Sequence, residues 1–250
     1  MGKYPTLKKA PIVEALVDIQ TTFPSALDMS VFENFYRQVA DAYPNREQQG
    51  FIEVAIATTS QGVPQALNPK TTLAGLRLSS VDKKHIIQVG GRGFTFSQLA
   101  PYRDGDEFRD LAHDLWTVFA NLTPSVQVNR LALRCINRIE LPLPLHDFDD
   151  YFKTFIRLPE GIPQGLAELL MRFVLPHPNL SNAGALVTIQ VESIQPEVTY
   201  IPVLFDIDVF QMVSFQPDSK EIWENIELLR EFRNQIFFES LTEKTLRLYQ

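Results

Sequence analysis

A single cysteine, Cys135, in 250 residues excludes an internal disulfide. A cysteine-based zinc site needs at least two thiolates, so the chain suits a reducing compartment, with the cytoplasm as the expected location. No apolar run approaches the roughly 20 residues needed to cross a bilayer, and the start of the chain lacks the charged-then-apolar layout of a leader, so no membrane partner is expected. An excess of positive charge is also missing. Lysine and arginine number 23 against 30 aspartates and glutamates, giving a formal charge of −7. The mean field therefore repels phosphate backbones, which weighs against nucleic acid as a partner. The densest basic groups, Lys8-Lys9, Lys83-Lys84 and Arg130/Arg134/Arg138, form no tract.

Catalytic motifs are lacking too. His85, His113, His146 and His177 lie in separate segments without metal-ligand spacing, and there is no G-x-S-x-G. Val89-Gly90-Gly91-Arg92-Gly93 looks like a phosphate cradle, but a strand pattern rather than a helix follows it, which makes it a hairpin turn. Cys135 falls in mid-strand, where a thiol acts as a small buried hydrophobe. No catalytic residue, metal site or cofactor is expected.

What the chain does have is apolar material: 45% hydrophobic side chains, with 18 Phe and 7 Tyr, enough for one large domain or two tightly packed halves. Most of these rings fall on apolar stripes and so read as core. Ile12–Phe23 alternates as a half-buried strand, and Val31–Tyr43 carries Val31, Phe35, Val39 and Ala42 at helical spacing, ending at Pro44-Asn45. Four short strand-like runs follow: Phe51–Thr58, Leu73–Ser80, His85–Val89 and Gly93–Leu99. Asp104-Gly105-Asp106-Glu107 then opens a helix through Leu122 whose acidic first turn complements the helix dipole.

From Val128 the order begins again. Asn129–Leu141 reads as a strand, Pro142-Leu143-Pro144 as a break, Phe148–Ile156 and Gly165–Phe173 as helical pieces, and Ala185–Glu192 and Tyr200–Val213 as strands. Lys220–Phe238 is the longest helix, with Ile222, Ile226, Leu229, Phe232 and Ile236 on one side and Ser219 as its cap. A shift of 120 residues sets Ile19 on Ile139, Pro24 on Pro144, Phe32 on Phe152 and Phe35 on Phe155. The expectation is an α+β protein of two related β-α-(antiparallel meander)-α halves, residues 1–125 and 126–250, packed as one unit with a long C-terminal helix. Such halves are analogous to helix-grip and TATA-binding-protein-like folds, from which no function follows.

Several segments carry a family resemblance: Pro11-Ile12-Val13-Glu14-Ala15, Phe96-Ser97-Gln98-Leu99 with Pro101-Tyr102, Leu133-Arg134-Cys135-Ile136-Asn137-Arg138-Ile139, Asp206-Ile207-Asp208 and Asn234-Gln235-Ile236-Phe237-Phe238. On these the chain resembles, from end to end, a sporadically distributed prokaryotic family of uncharacterised proteins of about this length. The resemblance implies no enzyme activity, cofactor or established site. It also implies an aromatic residue after Arg134, where this chain has Cys135.

Two polar groups stand out. Asp206 and Asp208 leave one face of a strand, a pair able to join a divalent ion but better suited to cross-strand ion pairing or a polar groove. Arg134 and Arg138 also share a face, and the 120-residue shift sets them on Glu14 and Asp18. If the first strands of the two halves run antiparallel, Glu14 would face Arg138 and Asp18 would face Arg134, setting the register between halves. Alternatively the arginines grip an anionic ligand or a partner's carboxylate, with Asn137 joining if a bulge turns it to their side.

The leading expectation is a non-catalytic interaction protein, a partner subunit or sensor of an accessory prokaryotic system, the defence type included. The alternative is a small-molecule binder with a cavity between curved sheet and long helix, using Arg134, Asn137, Arg138, Asp206 and Asp208. A divalent-metal-dependent hydrolase built on Asp206 and Asp208 ranks third. Self-association through an edge strand stays open.

Overall fold

The computed structural model describes residues 4–5, 7–53, 56–58, 64–66, 70–102, 104–124, 127–145, 147–154, 158–162, 168–192 and 199–250, with those between 51 and 74 described by backbone alone. The order is β1 (Ile12–Thr22), α1 (Met29–Val39), β2 (Asn45–Glu53), β3 (Ile56–Thr58), β4 (Pro64–Ala66), β5 (Lys70–Ser79), β6 (His85–Gly90), β7 (Gly93–Leu99) and α2 (Gly105–Leu122). Then come β8 (Gln127–Pro142), a 3-10 turn (Phe148–Asp150), β9 (Leu170–Pro176), β10 (Ala183–Val191), β11 (Tyr200–Phe215), α3 (Glu221–Ser240) and α4 (Glu243–Arg247).

Nine strands form one sheet in the order β2-β5-β6-β7-β1-β8-β11-β10-β9, and every neighbouring pair is antiparallel. β3 and β4 pair separately as a two-stranded ribbon. The sheet runs without a break from the first half to the second, because β1 pairs with β8 along most of its length. Seen from that seam, β7, β6 and β5 extend to one side and β11, β10 and β9 to the other.

Strand alternation sends Ala15, Val17 and Ile19 of β1, Leu131, Leu133 and Cys135 of β8, and Phe205, Ile207 and Val209 of β11 to a single face, all buried. The helices cover this face. On α2, Phe108, Leu115, Trp116 and Phe119 pack on β7, with Phe96 to Phe108 at 5.4 Å and Phe94 to Trp116 at 5.9 Å between ring centroids. Phe35 of α1 meets Phe119 edge-on at 5.7 Å, and Phe237 of α3 lies over Phe205 of β11 at 6.0 Å. Each such ring, fully withdrawn from water, contributes about 1.5–3 kcal/mol. The Trp116 indole donates to the Pro217 carbonyl at 3.0 Å, tying α2 to the entry of α3.

The helix starts follow capping rules. The carboxylates of Asp28 and Asp104 accept backbone N–H bonds from Ser30, and from Asp106 and Glu107. The Ser219 hydroxyl accepts from Glu221 N–H at 3.2 Å.

Two expected helices are not found among the described residues. Of Phe148–Ile156, a 3-10 turn remains at Phe148–Asp150, and residues 155–157 lie outside the described ones. Of Gly165–Phe173, the described end, Leu170–Phe173, belongs to β9, where backbone pairing with β10 overrides a short apolar run that suits either conformation. The chain is therefore richer in strand than expected, with β2 starting directly at Asn45.

The β6–β7 turn realises the hairpin read from its glycines: Gly90 pairs with Gly93 across Gly91-Arg92. Gly93 has φ of +131°, and a Cβ there would sit 2.2 Å from the Ile19 carbonyl oxygen, whereas one on Gly91 would meet nothing within 4 Å. Gly93→Ala is expected to cost at least about 2 kcal/mol in urea unfolding, and Gly91→Ala to stay within about 0.5 kcal/mol of the parent.

Candidate functional site

Alternation splits the candidate residues between the two faces of the sheet. Arg134, Arg138, Asp206 and Asp208 stand on the face opposite the helices. Asn137, one residue from Arg138, turns to the helix face, where it is 1% exposed and donates to the Phe205 carbonyl at 2.9 Å. The bulge in the β1–β8 pairing lies beside it, between Ile12 and Glu14, but does not bring it round. These five residues do not form one site.

On the open face the arginines are already occupied. Arg134 forks onto Asp206, Nε to Oδ1 at 2.8 Å and Nη2 to Oδ2 at 2.6 Å, which holds the guanidinium even more firmly protonated than usual. Arg138 engages Glu192 at 2.9 Å. Asp18 pairs with Arg130 at 3.0 Å and accepts from the Thr95 hydroxyl at 2.8 Å. Arg130 also approaches Asp208 at 3.7 Å.

The expected pairing of Glu14 with Arg138 and Asp18 with Arg134 is therefore corrected. The register sets Asp18 opposite Ala132 and Glu14 opposite Ile136, which leaves both Arg130 and Arg134 diagonal to Asp18; Arg130 takes it, while β11 supplies Arg134 with its acid. Charge is still neutralised across the seam, by Asp18 and Arg130. Asp206, spent on Arg134, is a poor ligand for a cation, and among the described residues no group of three or more His, Cys, Asp or Glu is placed to hold a metal.

The helix face carries a different feature. A cavity of about 740 Å³ opens between the sheet, α3, the start of α2, the β9–β10 loop and the segment leading into β1. That leading segment is anchored by Lys9 N–H to the Tyr249 carbonyl at 3.1 Å and by Arg138 N–H to the Pro11 carbonyl at 2.9 Å. Tyr4 stacks on Phe238 at 4.8 Å, and His177 meets the Phe232 ring at 4.6 Å. The His177 ring accepts N–H bonds from Asn179 and Leu180 at 3.1 and 2.9 Å, and burial lowers its pKa. Burial likewise pushes the Tyr102 phenol up to about 12.

Arg233 lies in this wall, 8% exposed. Its Nη1 points at the Cys135 sulfur at 3.2 Å, and its Nε is buried with no hydrogen-bond partner. Among the described residues no carboxylate pairs with it. Burial pushes the Cys135 thiol up, so the sulfur beside Arg233 stays neutral. Sequence reasoning missed this residue, although a signal existed: 222, 226, 229, 233 and 236 follow the three-four spacing of the buried stripe, and position 233 holds an arginine where an apolar residue belongs.

Residues from widely separated segments meet at this cavity: Pro11, Ile12, Tyr102, Asn137, Phe237 and Phe238 all line it. No protein-family model matches the chain, and no curated protein does.

The two open-face aspartates differ in what they stabilise. Burial holds the Asp208 carboxyl above its ordinary 3.8, so the folded state favours the neutral acid. That contribution is complete below pH 3.8 and is lost as the pH rises through the raised pKa. Asp208→Asn is thus expected to match or exceed the parent in stability at pH 7, with the difference growing in its favour as pH rises from 4. Asp206→Asn, which strips Arg134 of its bidentate partner, is expected to cost about 1–3 kcal/mol at pH 7. Urea denaturation across pH 4–8 checks both.

Proposed function

We propose that the protein is a non-catalytic binding protein that holds a small molecule in the cavity between its sheet and α3. The observation that carries this reading is a pocket of about 740 Å³ with a buried, acid-free guanidinium in its wall. The volume suits a small ligand, and the lining sets aromatic rings beside polar and charged side chains. The ligand reading gains over the protein-partner one because the arginines and aspartates offered for partner recognition satisfy one another. The same proposal sets the protein in the prokaryotic cytoplasm as a sensor or subunit of an accessory system, on the strength of the family resemblance and the single cysteine.

We further propose that the two halves are a divergent duplication with helix-grip, TATA-binding-protein-like architecture. Ala15 and Cys135, equivalent under the 120-residue shift, are direct register partners at the β1–β8 seam. Their equivalent neighbours agree as well: Val17 pairs with Phe96, and Asn137, its counterpart, pairs with Phe205.

A second reading, docking of a protein with an apolar surface edged by carboxylates, is favoured by one observation. Leu170 and Val174 are 67 and 63% exposed on the open face, on either side of Arg172, which pairs with no acid among the described residues.

Native mass spectrometry of the protein from its own host, gentle against denaturing, tests the pair. A small mass retained by the parent and lost in Ala10→Trp, which adds bulk at the pocket wall, is the expected result; the same mass retained by the variant rejects the pocket. A stoichiometric protein that is lost in Val174→Asp while the small mass stays would establish the second reading alongside the first.

A further inference from the structure

The charge inventory of the pocket selects among ligands, and this step rests on the reading of the cavity as a ligand site. Arg233 occupies a stripe position of α3 behind Ile222, Ile226 and Leu229 and is 8% exposed. An uncompensated buried cation is among the costliest groups a fold can carry. Its Nη1 meets Cys135 Sγ, a neutral thiol, at 3.2 Å, and its Nε donates to nothing among the described residues. One turn earlier, Arg230 is spent: it meets Asp106 at 2.6 Å and Glu227 at 3.1 Å. Arg109 holds the same two acids at 3.4 and 3.0 Å. Among the described residues, one positive charge in the wall is therefore available.

The rim adds negative charge. Asp104, whose carboxylate accepts from Asp106 and Glu107 N–H, and the exposed Glu231 also line the opening. A dianionic phosphate group would face these carboxylates with a single guanidinium to offset them. A carboxylate carries one charge, and its two oxygens match the planar edge of an arginine. The stacked Tyr4 and Phe238 rings, Phe232 and Leu180 supply the apolar part of the lining.

We propose that the pocket takes a monoanionic organic acid, its carboxylate seated on Arg233 and its apolar body against the Tyr4, Phe232 and Phe238 rings. Arg233 is then the residue that discriminates acid from neutral ligand, and the anion removes the cost of its burial.

Calorimetric titration of the full chain with decanoate and 3-phenylpropionate, and with their methyl esters and decyl phosphate, tests this. Each acid is expected to bind at least ten-fold more tightly than its ester and more tightly than the phosphate, and Arg233→Gln is expected to erase the acid-over-ester ratio while ester binding persists. Acid and ester binding equally, decyl phosphate binding tightest, or a ratio that survives in Arg233→Gln overturns the carboxylate assignment and leaves the pocket standing. No binding by any of these probes removes the pocket reading as well. A second variant reads the unliganded protein: Arg233→Met, which keeps the apolar packing and deletes the charge, is expected to raise Tm. A Tm lower by several degrees would show the guanidinium to be structural and overturn its assignment as a ligand group.

Discussion

The antiparallel pairing of β1 with β8 is the constraint on which the rest of the molecule depends. Each strand is the inner edge of its own half, and only their pairing converts two short sheets with exposed edges into one sheet of nine strands. It sets α2 and α3 on the same face, close enough for Trp116 to bond the Pro217 carbonyl and for Asp106 and Glu227 to share Arg109 and Arg230. A slip of one residue at this seam would turn either Val17 and Ile19 or Leu131 and Leu133 to the open face, and bury Asp18 or Arg130 in their place. Apolar burial on one side and the Asp18–Arg130 pair on the other oppose that slip together.

At the centre of the seam the facing side chains are Ala15 and Cys135, both small. Larger residues flank them, so the inner surface has its least bulk there. The Arg233 guanidinium lies over this position, against the Cys135 sulfur. An aromatic ring at 135 would claim the volume that the guanidinium occupies here. The pocket beside Arg233 is thus linked to the seam: small residues leave room, and a charged side chain enters it with no counter-charge among the described residues, at a cost in stability.

The open face follows the opposite logic. Arg130, Arg134 and Arg138 on β8 are matched by Asp18, Asp206, Glu140 and Glu192 from the same and neighbouring strands, so the row holds little free charge. Satisfied pairs on a half-exposed sheet fix register and keep the face soluble, and they add little net binding capacity. Apolar exposure is concentrated toward the β9 side, on Leu170 and Val174, where Arg172 has no described acid.

Period-two and period-three-to-four patterns need only neighbours in sequence, which is why β1, β6, β7, β8, β10, β11 and the helices α1, α2 and α3 were legible from the residues alone, as were the Gly90–Gly93 hairpin and the shared face of Asp206 and Asp208. Short apolar runs satisfy both periods, so Leu170–Phe173 read as helix until pairing with β10 decided it. Partner choice was illegible for a different reason. Which acid meets Arg134 depends on a register formed between residues 72 apart, and the sequence contains no local trace of it. Composition and strand pattern by themselves determined an α+β chain with a buried face, a polar face and a long final helix. Only the tertiary structure decided that Asn137 and Arg138 look in opposite directions and that Arg233 lies buried without an acid beside a cavity. Hydrophobic periodicity is a property of the chain, whereas charge compensation is a property of the space into which the chain folds.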